Sequence, residues 1–352
     1  MATPKAGKTR TDRAAYLVLG MHRSGTSAAT QLLALAGAEL PQNVMPGDEH
    51  NAKGYFEPWK IAIFNDERLR GGGGAWDDVF AFPYRPLPKA QEAAWAAKAL
   101  ELYDAEFGEA WFPLLKDPRV SVLAPLWLAT LKARKMPARA VIPVRHPLAV
   151  AGSLTRRDRF PVEKSVLLWV SYMLAAELYS RDIPRAFVGY DSLLADWRAE
   201  VARIEAAHGA PLPRLTERAA TQIDGFLSSD LRHNAGQGDL AAVALVGPLA
   251  ARVHDWFEAA ARGEARDPAV LEEAAGEIAA MKARMGVFVS PVTHALDLAR
   301  ADLAQERARR AVDRRDLADL DAEVAKLRRE LSDLRREHAD VEAMVDTMIA
   351  GR

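Results

Sequence analysis

The stretch Gly20-Met21-His22-Arg23-Ser24-Gly25-Thr26-Ser27 lies between two apolar runs, 14–19 and 28–36. The first run reads as a buried β-strand and the second as a helix. A turn with a glycine near each end, set between strand and helix, aims several backbone N–H groups at one point. The helix N-terminus adds its partial positive charge there. Such a turn suits phosphate or sulfate oxygens, and Arg23 gives it a cation of its own. Further along, strand-like runs at 111–115, 138–144 and 185–189 alternate with helical patterns at 59–69, 90–107, 120–131, 148–156, 162–179 and 192–207. Strands alternating with helices predict an α/β fold, a three-layer sandwich with a central parallel sheet and helices on both faces. In such sheets ligands gather at the carboxyl ends of the strands. The charged turns Lys116-Asp117-Pro118-Arg119 and Arg145-His146-Pro147 also follow strand ends, so they are expected to share one site with the first turn.

Composition narrows the function. The chain has 352 residues, 49% hydrophobic and 27% charged, which supplies ample core. A net charge of −1 offers no general positive field for nucleic acid. With no cysteine, disulfides, thiolate metal sites and cysteine nucleophiles are excluded. The histidines show no zinc-ligand spacing. No run reaches the length of a membrane span, and 1–13 is basic and polar without the apolar centre of a signal peptide. The expectation is a soluble, cytoplasmic protein with a flexible N-terminus. Segments 41–53 and Gly71 to Gly74 read as a surface loop and a mobile break.

The spacing G-x-x-x-x-G-T-S is almost a P-loop, but Thr26 stands where a nucleotide-binding lysine belongs. Only Asp117 offers a strand-end acid for magnesium, which argues against Mg-nucleotide hydrolysis. Arg145 ends a strand, and Ser153 lies about two turns into the next helix; the two can face one anion with a guanidinium fork and a hydroxyl.

Taken together, Arg23-Ser24-Gly25-Thr26-Ser27 and Arg145 with Ser153 resemble the sulfotransferases that use 3′-phosphoadenosine-5′-phosphosulfate (PAPS). Gly54-Tyr55-Phe56-Glu57 and Lys116-Asp117-Pro118-Arg119 look like segments of the bacterial carbohydrate-type members, and the stretch 226–233 is a weaker echo. The resemblance implies a P-loop-like fold. It also implies that Arg23, Ser24, Gly25, Thr26 and Ser27 grip the 5′-phosphosulfate, and that Arg145 and Ser153 grip the 3′-phosphate. Transfer then needs no metal. It implies a small-molecule or glycan acceptor, with Arg23 and Lys116 stabilising charge on the transferring group. The chain departs from the best-known members, which place a histidine where Pro118 stands. The general base is therefore sought elsewhere, in Glu57 first, Asp117 second, and His50 or His22 after them. Glu57 suits equally an acid at a helix N-terminus. A non-catalytic scaffold and a P-loop kinase are the alternative functions.

The resemblance covers roughly 14–233, within a catalytic domain expected over 14–240. Helices at 241–261 and 268–285 form an extension over 241–290, with a break expected at 286–291. A long helix follows over 291–352. In it Leu317, Leu320, Val324, Leu327, Leu331, Leu334, His338, Val341, Val345 and Met348 recur alternately three and four residues apart, a heptad seam. The expected outcome is a homodimer through a coiled coil. A helix folded back on the catalytic domain and a coil with a different partner are the other possibilities.

Overall fold

The computed structural model describes residues 13–45, 54–227 and 238–350. The expected flexible N-terminus, His50, most of the 41–53 loop and much of the 226–233 stretch lie outside the described residues. Four strands form one parallel sheet: β1 (Ala15–Val18), β2 (Leu114–Lys116), β3 (Ala138–Val144) and β4 (Arg185–Gly189), in the order β2-β1-β3-β4. Val18 stands opposite Lys116 on one side and Val141 on the other, and Val144 stands opposite Gly189. The chain leaves β1 toward one edge of the sheet and returns to build the other. The loops after β1 and β3 therefore diverge, which opens a crevice between them.

The strands are apolar apart from Lys116, Arg139 and Arg185, because both faces are covered. Successive side chains alternate between two cores. Leu17, Leu115, Ala140, Ile142 and Val144 enter one, and Tyr16, Val18, Leu114, Val141 and Val188 the other. The second core is closed by α1 (Thr26–Leu35), α7 (Tyr190–Ala195), α8 (Trp197–His208) and α9 (Glu217–Phe226). The first takes α2 (Trp59–Gly71), α3 (Lys89–Phe107), α4 (Ala124–Ala133), α5 (Pro147–Asp158), α6 (Val162–Tyr179) and α10 (Gly247–Ala261). Trp169 and Tyr172 are fully buried in α6. The start of α11 (Ala269–Ala350) adds Leu271, Ala274 and Ile278 to the same core.

Several boundaries differ from expectation, each for a local reason. The helix expected over 120–131 is a 3₁₀ turn, Pro118–Ser121, followed by α4. The one expected over 192–207 is split at Asp196, whose carboxylate caps α8 by accepting from the Ala199 N–H. No break occurs at 286–291, for α11 runs through Pro291. A proline inside a helix removes one hydrogen bond and crowds the preceding turn. Here the helix is tied down on both sides of it. Ser290 Oγ donates to Asp78 at 3.1 Å, and His294 Nδ1 lies 3.1 Å from the Gly74 carbonyl.

Two compact units divide the chain, 1–294 and 295–352. In the second, α11 continues as a helix rich in Ala, Arg, Asp and Leu. No helix among the described residues is long and apolar enough to cross a membrane.

Phe257 of α10 shows how the helices after 240 join the sheet core. It is fully buried, with ring centroids 6.1 Å from Trp169 and 5.7 Å from Phe187. Phe257→Ala is expected to destabilise the fold by roughly 3–5 kcal/mol. Urea unfolding monitored by tryptophan fluorescence should show one transition with a lower midpoint. A separate early transition with the main one unmoved would mean that α10 is not part of this core.

Candidate functional site

The turn after β1 is shaped by three left-handed residues: Gly20 at φ 135°, Arg23 at φ 68° and Gly25 at φ 92°. Glycine takes such angles without penalty, whereas Arg23 does so at a cost of order 1–3 kcal/mol. The first glycine is clamped by the 3₁₀ turn after β2. Its N–H donates to Ser121 Oγ at 2.8 Å, and that hydroxyl lies 3.3 Å from the Gly20 carbonyl. Gly25 caps α1 from the left-handed region, with no side-chain cap. A Cβ on Gly25 would lie 2.4 Å from Cδ2 of Tyr190, so the ring of Tyr190 requires a glycine there.

The turn meets the end of β3 through two hydrogen bonds. Arg23 Nε donates to Ser153 Oγ at 2.8 Å, and Arg145 Nη1 donates to the Arg23 carbonyl at 2.9 Å. The Arg145 guanidinium lies 4.4 Å over the ring of Tyr190, a cation–π contact. Arg23, Gly25, Arg145, Ser153 and Tyr190 thus form one cluster over the ends of β1, β3 and β4. Positive charge is concentrated there. Burial, and then Arg157, Arg145 and Arg156, lower the proton affinity of Arg23 from its usual value. Burial and Arg156 do the same to Arg145, against Tyr190 and Asp191. Ser24 Oγ is fully buried and has no hydrogen-bond partner among the described residues.

A second group lies at the end of β2. Lys116, 2% exposed, reaches Glu57 Oε1 at 2.6 Å, the Tyr55 carbonyl at 2.8 Å and Ser27 Oγ of α1 at 3.4 Å. Glu57 itself is 5% exposed. Its backbone is held by a short antiparallel pairing, in which Met45 N donates to the Glu57 carbonyl at 2.7 Å. Phe56, left-handed at φ 58°, turns the chain so that both Tyr55 and Glu57 face Lys116. Arg119 stands behind this pair. It binds Asp117 at 2.9 Å and Asp66 at 2.5 Å, and lies 3.9 Å from Glu57. Burial works against the charge on Arg119. Asp117, Asp66 and Glu57 outweigh it and hold the guanidinium well above its usual proton affinity.

Asp117 has both oxygens engaged. One accepts from Arg119, and the other accepts from Asn65 Nδ2 at 2.7 Å. Asn65 in turn accepts from the Trp127 indole at 2.9 Å. This makes Asp117 a bracket between β2 and α2. His22 is buried between Trp76 and Tyr172, with ring centroids 4.8 and 6.2 Å away. Burial lowers its proton affinity well below the usual histidine range, and Arg119, Arg157, Lys116 and Arg23 lower it further.

All the residues singled out from sequence at these turns therefore converge at the carboxyl ends of the sheet. Arg23, Arg145 and Ser153 form one group. Ser27, Lys116 and Glu57 form the other, with the α1 N-terminus between them. Tyr190 was not among the residues singled out from sequence. Its signal was the same as that of Arg145, a polar residue directly after a strand. Trp76 and Arg157, stacked at 5.4 Å, carried no such signal. Among the described residues, no group of three or more His, Asp or Glu side chains forms a candidate metal site.

No family model matches the chain, and no curated protein matches it. Among the solved structures similar to the chain are two sulfotransferase domains. One is the sulfotransferase domain from the Synechococcus PCC 7002 olefin synthase, 18% identical with a TM-score of 0.41, covering 73% of this chain and 98% of that one. The other is the sulfotransferase domain from the curacin biosynthetic pathway, 13% identical with a TM-score of 0.36, covering 61% of this chain and 79% of that one. Likeness at this level assigns no role to any residue.

Gly25→Ala tests how the turn is built. The strained φ and the contact with Tyr190 are expected to destabilise the fold by about 1–3 kcal/mol. Gly152→Ala in α5, where a Cβ meets nothing within 4 Å, should be neutral or gain up to about 1 kcal/mol. Equal thermal midpoints for the two variants would contradict this account of the turn.

Proposed function

We propose that this chain is a sulfotransferase. It moves the sulfuryl group of PAPS to a hydroxyl or amine of a small-molecule or glycan acceptor. The observation that supports this reading is the pair of hydrogen bonds joining Arg23 to Ser153 and Arg145 to the Arg23 backbone. They join an anion-binding turn to a second cationic group, which suits a ligand phosphorylated at two ends. The orphaned Ser24 hydroxyl and the crowded guanidiniums fit the same ligand, since both are relieved by a nearby anion.

When bound, PAPS supplies an activated sulfuryl group. The protein's part is positioning and electrostatics. Gly25, Thr26 and Ser27 present backbone N–H groups at the start of α1, Ser24, whose own N–H is taken by the Met21 carbonyl, adds its hydroxyl, and Arg23 adds a full charge beside them. Arg145 and Ser153 hold the 3′-phosphate. As the bond from sulfur to the 5′-phosphate breaks, its electron pair stays with the phosphate, and Arg23 and the turn stabilise that charge. Lys116, shared between Glu57 and Ser27, stabilises the sulfuryl oxygens. Glu57 takes the acceptor's proton as the new bond from sulfur to oxygen or nitrogen forms. The cations are the chain's own, so the reading needs no metal. The kinase alternative would need Asp117 for magnesium, and that carboxylate is already committed to Arg119 and Asn65. The same reading gives the enzyme a second copy of itself as partner, through α11.

Calorimetric titration with 3′,5′-adenosine bisphosphate should show binding that is the same with and without magnesium. Arg145→Ala should weaken it by about tenfold to a hundredfold, the worth of a hydrogen bond to a charged group. Binding of Mg-ATP in place of the bisphosphate would refute the proposal. Glu57→Gln should retain bisphosphate binding while transfer falls by roughly 10² or more. Unchanged transfer would remove Glu57 from the role of base.

A further inference from the structure

The second unit carries an apolar stripe that the fold leaves open. From Leu317 to Met348 the apolar seam residues are between 43% exposed, at Val324, and 71% exposed, at Met348. The helix beneath them is supported by pairs one turn apart outside the seam, such as Lys326 with Glu330 at 3.8 Å. Those pairs keep it helical but do not cover the seam. With two apolar positions per heptad, the stripe has the width of a coiled-coil seam rather than that of a helix lying on a globular core.

We propose that a second copy of this chain covers the seam as a parallel, in-register, two-stranded coiled coil over 317–348. This rests on the reading of α11 as a dimerisation element and adds its strand direction and register. The charges flanking the seam decide the direction. Taking Leu317 as position a, the charged g positions are Asp316, Glu323, Glu330 and Glu337, all acidic. The charged e positions are Asp321, Arg328, Arg335 and Glu342. In an antiparallel pair, g faces g and e faces e. The g side is then acid against acid. With the seam fully overlapped, Arg328 meets the partner's Arg335 and Asp321 meets the partner's Glu342, so the e side repels as well. In a parallel pair, each g faces the e of the next heptad. Glu323 then meets the partner's Arg328, and Glu330 the partner's Arg335, each twice by symmetry. The like-charged contacts, Asp316 with Asp321 and Glu337 with Glu342, fall toward the ends of the seam. The parallel arrangement is the one that places attraction at its centre.

Two further features agree. Val324 and Val345 at a, with Leu320, Leu327 and Leu334 at d, are the combination that favours two strands. His338 is the one polar member of the seam, at an a position. In register it meets the partner's His338. Any slip sets an imidazole against an aliphatic layer, and a single polar a residue fixes register in this way.

The absence of cysteine makes the test direct, because any single introduced thiol reports on its own layer. Leu320→Cys and Val341→Cys occupy d layers toward opposite ends of the seam. In the full-length protein, light scattering before oxidation should give twice the chain mass of 38.6 kDa. Mild oxidation should then cross-link each variant with itself. A dimer in which neither variant self-links would overturn the parallel direction while leaving dimerisation standing. A monomer mass would overturn the dimerisation reading itself, and a trimer mass the two-stranded form. A second pair of substitutions separates direction from folding. Glu323→Arg with Glu330→Arg should weaken a parallel dimer by about tenfold or more, as central attractions become repulsions. Adding Arg328→Glu and Arg335→Glu should restore it. Tighter association on the first pair alone would overturn the proposal, because in an antiparallel coil the new cation at 330 would face the partner's Glu337.

Discussion

Arg23 holds one half of the site together. Its backbone is left-handed, its side chain binds Ser153 in α5, and its carbonyl accepts from Arg145 at the end of β3. One residue therefore couples the turn after β1 to the loop after β3, across the crevice where the sheet changes direction. Such a conformation persists only where surrounding contacts over-determine it. Here they do: Gly20 is clamped by Ser121, and Gly25 packs against Tyr190, which in turn lies under Arg145. The sheet places β1 beside β3, and that adjacency brings two cationic segments, more than a hundred residues apart in the chain, to one place.

The other half of the site is held by buried charge. Glu57, Lys116, Arg119, Asp117 and Asp66 form a continuous ionic chain in which each cation meets at least one carboxylate. Taking such groups out of water costs several kcal/mol for each ion, and a pair repays it only when geometry and hydrogen bonds are good. Asn65 and the Trp127 indole supply part of that satisfaction from beneath. The arrangement stiffens Lys116 and Glu57 against the start of α1. A transfer site benefits from that stiffness, because fixed charges need no reorganisation as the reaction proceeds.

Much of this was legible in the sequence because the signals were local. The strands 138–144 and 185–189 and the helix 162–179 are mainly apolar segments bounded by proline, glycine or charge, and their limits match the structure. The turns at Arg23, Lys116 and Arg145 could be assigned to one site because each follows a strand that a parallel sheet must align. Tertiary contacts hid the rest. Pro291 reads as a helix end, but bonds from Ser290 and His294 to the 74–78 segment carry the helix through it. Asp117 resembled a candidate base until Asn65, many residues away, engaged its second oxygen. Tyr190 gains meaning only from Gly25 and Arg145, which no spacing rule connects to it.

The account depends most on the two-ended grip, and a crystal structure of the protein with 3′,5′-adenosine bisphosphate tests it most directly. The prediction is a 3′-phosphate against Arg145 and Ser153, with the 5′-phosphate on the backbone N–H groups of the turn beside Arg23. A nucleotide bound away from this crevice, or one whose phosphates touch neither Arg23 nor Arg145, would contradict it.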